Sequence, residues 1–185
     1  GVQTCALPIW AAEEGQSLFE QEELQKAAER FSLAQRAYAQ AGNKLKAAEM
    51  LNNLGVVYRK DRKHKEAANA LEEARQILAG LGDRPREARV LGNLGGLYSK
   101  MKRYDEAETC FKDAIDMFQE LEERAQQSET LRAMAIMRFK RGQRSKALAT
   151  YEDALYYLPS PNFLQRLTRF LLRIRKDRKS TRLNS

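Results

Sequence analysis

The chain has 185 residues and a formal net charge of +8, and 31% of its residues are charged while 43% are hydrophobic. This composition, dominated by Ala, Leu, Glu, Lys and Arg, is typical of a helix-rich globular chain. It excludes a membrane-spanning helix within this sequence, because no stretch approaches the roughly 20 apolar residues that such a helix needs, and no run is typical of a β-strand.

The two ends of the chain are predicted to be non-native. One DNA string, translated in opposite directions, encodes both residues 1–9 and residues 177–185, and it resembles a short-read sequencing adapter. We therefore expect roughly residues 10–176 to be the genuine protein, without either natural terminus. Cys110 is then the only native cysteine, which excludes an intrachain disulfide and a paired-cysteine metal site. A cytoplasmic location is favoured.

The central part of the chain repeats at an interval of forty residues. One set of positions is Leu51, Leu54, Gly55 and Tyr58, and it recurs as Leu91, Leu94, Gly95 and Tyr98. Because its members are spaced i, i+3, i+4 and i+7, they lie on one face of an α-helix. Weaker copies lie upstream and downstream, so the pattern predicts four units at about 10–47, 48–87, 88–127 and 128–161.

Each unit contains a second apolar stripe, for which Ala67, Leu71 and Ala74 are the example. The polar residues 60–64 between the two stripes are too few for anything but a tight turn, so each unit is predicted to be a helical hairpin. Small residues at Gly55, Ala67 and Ala74 allow its two helices to approach closely. The pairs Gly42-Asn43 and Gly82-Asp83 predict the turns between units.

This Leu-Gly-x-x-Tyr helix followed by an Ala-x-x-x-Phe/Leu-x-x-Ala helix resembles the tetratricopeptide repeat, and Pro159 also lies where that family has its proline. The family's usual period is about 34 residues, so the longer unit is similar to kinesin light chains and many bacterial regulators. The resemblance implies an all-α fold, a right-handed superhelical solenoid of about four helical hairpins. It also implies a scaffold that binds protein and is not an enzyme.

The last native segment, residues 162–176, is predicted to be an amphipathic, basic helix that caps the final apolar face of the solenoid. It begins after the helix-breaking sequence Pro159-Ser160-Pro161. Two alternatives remain open. The helix could contact an acidic membrane or a partner, or it could begin a fifth repeat.

Candidate catalytic and metal-binding residues have simpler explanations. His64 is the only histidine and lies in a polar turn, and Cys110 is adjacent to the core position Phe111. Gly92, Gly95 and Gly96 lie within a helix pattern and lack the Gly-Lys-Ser/Thr of a phosphate-binding loop. We therefore expect no catalytic residues, no metal, no cofactor and no small-molecule substrate.

The resemblance further implies a concave groove, lined by the first helix of each hairpin, in which a peptide binds. From helical geometry, we expect this groove to be lined by Asn52, Asn53, Val56, Arg59, Lys60, Arg89, Asn93, Gly96, Ser99, Lys100, Arg132, Ile136, Phe139 and Lys140.

Asparagine is the most informative residue type in this set. Asn53 and Asn93 are forty residues apart and are predicted to stack in register. Because an amide side chain both donates and accepts hydrogen bonds, such a ladder can bind the backbone of an extended peptide. Alternatively, the two asparagines bond only within the solenoid.

Lys60, Lys100 and Lys140 form a second ladder, which suggests an acidic partner. Alternatively, a cation at the end of a helix interacts favourably with the helix dipole and needs no ligand. A chaperone-tail clamp is not predicted, because Glu129 and Ala133 occupy positions at which that clamp requires cations.

Three functions follow from these observations. The first is a protein-binding module with a polar, moderately basic groove. The second is the sensor arm of a larger bacterial signalling or transcription protein that contains an ATPase domain. The third, nucleic-acid binding, is less well supported, because the positive charge is dispersed among acids and recognition motifs are absent.

Overall fold

The computed structural model describes residues 3–159 together with Gln165 and Thr168. Within this part the regular structure is entirely α-helical, which confirms the predicted all-α repeat of helical hairpins. Its eight helices are α1 Gln3–Glu20, α2 Leu24–Gln40, α3 Lys44–Lys60, α4 His64–Leu81, α5 Arg84–Lys100, α6 Tyr104–Glu120, α7 Arg124–Lys140 and α8 Arg144–Tyr157.

The chain forms two compact units, and the division falls within α6. The first unit ends at Cys110 and contains α1 to α5. The second begins at Phe111 and contains α7 and α8. The predicted capping helix, residues 162–176, lies outside the described residues except at Gln165 and Thr168, which are helical.

The helices begin earlier than the predicted repeat boundaries. The first helices of the later hairpins begin at Lys44, Arg84 and Arg124, so the divisions after residues 47, 87 and 127 fall inside α3, α5 and α7. The difference arises because the predicted divisions follow the repeated apolar positions, which begin later in each helix, at Leu51, Leu91 and Leu131. Residues 3–9 are also helical as part of α1, with Pro8 inside the helix.

A left-handed backbone residue ends each helix from α1 to α7, with φ between 57° and 86°. These residues are evenly spaced along the chain, at Glu22, Gly42, Arg62, Gly82, Lys102, Glu122 and Gly142. Such a residue lets the following backbone N–H turn back onto the helix, as when the N–H of Asn43 donates to the carbonyl of Tyr38 at 2.9 Å. The turns predicted at Gly42 and Gly82 are confirmed.

Two of these turns also start the next helix with a side-chain cap. The side chain of Asn43 accepts a hydrogen bond from the backbone N–H of Lys46 at 3.0 Å. Asp83 accepts one from the N–H of Arg86 at 3.1 Å. These caps satisfy N–H groups that have no partner within the helix, so they fix where α3 and α5 begin.

Small residues bring the helices of the first unit into close contact. Ala67 and Ala74 of α4 are fully buried. Gly55 of α3 packs directly on Leu71, since a Cβ at Gly55 would lie 2.4 Å from the Leu71 Cγ atom. The predicted close approach of the two helices is therefore present, and at Gly55 it leaves no space for a side chain.

The second unit also has a buried apolar core, and polar side chains add hydrogen bonds between its helices. Phe118 and Met137 are buried. Arg138, which occupies the position of the repeat tyrosine, donates to the hydroxyl of Thr150 on α8. The Ser128 hydroxyl donates to the carbonyl of Ala154 at 2.7 Å. Polar bonds thus join α7 to α8 here.

We expect Gly55→Ala to lower the free energy of unfolding by about 1–2 kcal/mol, because the overpacking cost exceeds the gain in helix propensity. Gly80→Ala is the matched control, since Gly80 lies within α4 and has no atom within 4 Å of its Cβ position. It should raise stability by about 0.5–1 kcal/mol. Urea denaturation measures both changes, and equal effects of the two substitutions would contradict the packing argument.

Candidate functional site

The surface formed by α3 and α5 in the first unit contains most of the predicted groove residues. Half-buried residues on it are Asn52, Asn53, Val56, Arg59, Asn93 and Gly96, while Lys60, Arg89 and Lys100 are exposed. Ser99 differs from the prediction, because only 9% of it is exposed. Its short side chain does not extend past its neighbours, so it contributes little to a binding surface.

The asparagines pair differently from the predicted ladder. The amide nitrogen of Asn93 donates to the side-chain oxygen of Asn52 at 2.8 Å. Asn93 is thus opposite Asn52 and not opposite Asn53. The reason is that α5 packs mainly on α4 and makes a smaller contact with α3, so equivalent positions on α3 and α5 do not face each other.

A cavity of about 180 Å³ lies beside this asparagine pair. It brings together three predicted residues, Asn52, Asn53 and Arg89. Its other walls are Glu49, Met50, Leu78, Arg86 and Val90. Sequence reasoning missed Glu49 and Arg86, although Glu49 lies one helical turn before Asn52 and Asn53 and could have been placed on the same face.

Glu49 and Arg86 form an ion pair that joins α3 to the start of α5. The Arg86 Nε atom lies 2.7 Å from Glu49 Oε1, and its Nη1 atom lies 2.7 Å from Asp83 Oδ2. Lys46 Nζ lies 2.7 Å from the other oxygen of Glu49. Burial acts to raise the pKa of Glu49, but the hydrogen bonds from Lys46 and Arg86 outweigh it and hold that pKa below the ordinary value.

Lys60 does not point freely across the α3–α5 surface. Its Nζ atom lies 2.9 Å from Glu22 Oε1, in the turn between α1 and α2, and 5.1 Å from the ring centroid of Phe19. The first member of the predicted lysine ladder is therefore held by contacts within the chain. Arg59, beside it, has its Nη1 atom against Gly96.

The α7 residues in the predicted set lie in the second unit. Arg132, Ile136, Phe139 and Lys140 are all exposed there. The two apolar members are 52% and 62% exposed and line a cavity of about 500 Å³ together with Leu148 and Tyr151 of α8. The α8 wall was missed because only first helices were considered. A binding role for the α7 residues stays a prediction.

The residues considered for metal binding are separated. His64 is the first residue of α4 and is half-buried. Cys110 is half-buried and is not part of a disulfide. Across residues 3–159, no group of three His, Cys, Asp or Glu side chains could hold a metal ion, and no helix in that range is long and apolar enough to cross a bilayer.

We expect Glu49→Gln to lower the free energy of unfolding by about 1 kcal/mol at neutral pH. Because the folded pKa of Glu49 is depressed, its contribution is complete above the unfolded pKa of about 4.3 and disappears as pH falls through the lower folded pKa. Urea denaturation across this range should show the difference from the unmodified chain vanishing at acidic pH. Glu73→Gln, at an exposed position of α4, should have no effect, and a pH-independent effect at Glu49 would contradict the ion-pair account.

The repeated hairpins define a helical repeat protein. Tetratricopeptide repeat family models match residues 47–79 and 86–156. The chain belongs to the tetratricopeptide repeat family. Repeats of this family generally bind protein partners, and the family is typically a non-catalytic scaffold, so the chain is a protein–protein interaction scaffold in this general sense.

Solved structures show the same fold. BtubC (BKLC) from P. vanneervenii is 25% identical with a TM-score of 0.74, over 86% of this chain and 68% of that one. Aspartyl phosphate phosphatase F from Bacillus subtilis is 15% identical with a TM-score of 0.76, over 84% of this chain and 41% of that one. Kinesin light chain TPR-like repeats from Podosopora anserina are 16% identical with a TM-score of 0.68, over 81% and 74%. No curated protein sequence matches significantly.

Proposed function

We propose that the α3–α5 surface binds an extended segment of a protein partner through the backbone of that segment. The observation that carries this proposal is the group of three amide side chains at the 180 Å³ cavity and its edge, namely Asn52, Asn53 and Asn93. The amide of Asn53 makes no hydrogen bond to any residue in the described part of the chain, although its side chain is half-buried.

The amides retain capacity for further hydrogen bonds after pairing with each other. In the bond between Asn93 and Asn52, one N–H and one lone pair are used. Since each amide offers two N–H donors and two lone pairs, both residues keep a donor and an acceptor for a ligand. A peptide backbone offers the complementary groups at every residue except proline, so such a surface would bind an extended segment with little regard to its side chains.

The surface is held in place before any ligand binds. The ion pair of Glu49 and Arg86 joins α3 to α5, and Leu94 of α5 is fully buried in the core of the first unit. A pre-formed surface lowers the entropy cost of binding, which otherwise consumes much of the favourable contact energy. These contacts between α3 and α5 therefore favour a binding role for the asparagines.

The competing explanation is that these asparagines only join α3 to α5. It accounts for Asn52 and Asn93, whose mutual bond has this effect, but it gives no role to Asn53. Asn53 is therefore the residue that separates the two explanations.

We expect Asn53→Ala to weaken peptide binding about three- to tenfold, the cost of one hydrogen bond, without changing stability. The probe is a peptide selected from a random-peptide phage library on the immobilised chain, then synthesised with a fluorophore. Fluorescence anisotropy gives the Kd, and thermal unfolding followed by circular dichroism reports the fold.

Asn69→Ala is the matched control, because Asn69 is exposed on α4. It should leave the Kd unchanged. If the folded Asn53→Ala variant binds every selected peptide as tightly as the unmodified chain, the proposed role of this surface is wrong.

A further inference from the structure

We infer that Arg59 binds a carboxylate of the bound segment, supplied by an aspartate or glutamate side chain. This inference rests on the proposed function of the α3–α5 surface and names the chemistry of its partner. Arg59 lies in the last turn of α3. It does not share the contact of the next residue, Lys60, whose Nζ atom is paired with Glu22.

The position of the Arg59 guanidinium depends on a glycine of the next repeat. A Cβ at Gly96 of α5 would lie 2.6 Å from the Arg59 Nη1 atom and 3.8 Å from its Cζ atom. The guanidinium therefore occupies space that any other residue at position 96 would fill. It is held over the α5 backbone and is half-buried, whereas most surface arginines extend into water.

Arg59 also differs from the other half-buried arginines of the first unit in lacking an acidic partner. The Nε atom of Arg30 lies 2.8 Å from Glu14 Oε2, and that of Arg75 lies 3.0 Å from Glu72 Oε2. The Nε atom of Arg86 lies 2.7 Å from Glu49 Oε1. In the described part of the chain, no carboxylate or other group accepts a hydrogen bond from the Arg59 guanidinium. Burial lowers the pKa of its guanidinium.

This combination favours an anionic ligand. A half-buried guanidinium has lost part of its hydration, and a protein carboxylate does not replace it here. A ligand carboxylate would restore those bonds in the planar, two-pronged geometry that arginine favours. A doubly charged group such as a phosphate would need a second cation, but Lys60, which follows Arg59 in the sequence, is already paired with Glu22.

The helix geometry predicts where the acidic residue lies in the ligand. Arg59 follows Asn52 by two helical turns on α3, so the two are about 10 Å apart along the helix axis. An extended peptide advances about 3.3 Å per residue. The acidic side chain should therefore lie about three residues from the ligand residue that bonds the Asn52–Asn93 pair.

The test selects peptides from the random-peptide phage library in parallel on three full-length chains: unmodified, Arg59→Gln and Arg36→Gln. Arg36 is an exposed arginine of α2 and is the matched control. We expect Asp and Glu to be enriched at one position of the peptides selected on the unmodified chain and on Arg36→Gln, but not on Arg59→Gln.

Affinities of one synthetic peptide then quantify the contact. Replacing its selected Asp or Glu by the corresponding amide should weaken binding to the unmodified chain about tenfold or more, as expected for a charge-assisted hydrogen bond. The same replacement should change binding to Arg59→Gln less than twofold, because the partner is already absent.

Gly96→Ala keeps the inference testable if Arg59→Gln does not fold. The new methyl group would meet only the flexible end of Arg59, so it should displace the guanidinium while thermal stability is retained. This variant should therefore also lose the preference for an acidic residue in the peptide.

The outcomes distinguish this inference from the proposed function. If Asn53→Ala weakens binding but the acidic preference is equal on the unmodified chain, Arg59→Gln and Gly96→Ala, the inference about Arg59 is wrong and the proposed function stands. If an acidic preference depends on Arg59 while Asn53→Ala has no effect, the carboxylate contact stands and the backbone-binding proposal is wrong. If no peptide is selected on any chain, both are wrong.

Discussion

The close contact between Gly55 and Leu71 is the constraint on which the first unit depends. Because Gly55 has no Cβ, the α3 backbone lies directly against the Leu71 side chain of α4. The small residues Ala67 and Ala74 extend that contact along α4. Once α4 is fixed in place, α5 packs mainly on α4. The orientation of α5, and therefore of Asn93, follows from this packing on α4 more than from any direct contact with α3.

The same packing gives the α3–α5 surface its uneven chemistry. At the beginning of the two helices, charges are neutralised within the protein, since Glu49 and Arg86 are paired across the junction. Near the end of α3, Arg59 has no such partner in the described part of the chain. Between them, the Asn52–Asn93 bond is neutral and polar. Along α3, the charge on this surface is thus paired within the protein at Glu49 and has no acidic partner in the described residues at Arg59.

Much of the fold could be predicted from the sequence, because it depends on local patterns. The spacing of Leu51, Leu54 and Tyr58 identifies a helix face, and Gly42 and Gly82 identify turns; the structure contains each of these features. The pairing of Asn93 with Asn52 could not be predicted, because a side-chain pattern does not report how far one helix rotates against another.

Contacts between residues of different helices could not be predicted from the sequence either. Lys60 looks the same in the sequence as Lys100, but only the folded chain shows that Glu22 and Phe19 lie beside it. The isolation of Arg59 from carboxylates was invisible for the same reason, and so was the α8 wall formed by Leu148 and Tyr151 around Ile136 and Phe139. Each of these depends on which distant residues the packing brings together.

The even spacing of the left-handed residues also bears on how such a chain changes in evolution. Left-handed positions from Glu22 to Gly142 recur every twenty residues, so turns that are two helices apart have a left-handed residue at the same position of the repeat. A gene duplication or deletion between two such turns adds or removes one complete hairpin and leaves every other helix with its original cap and apolar face. The chain can therefore lengthen or shorten in whole units without new sequence at the junctions.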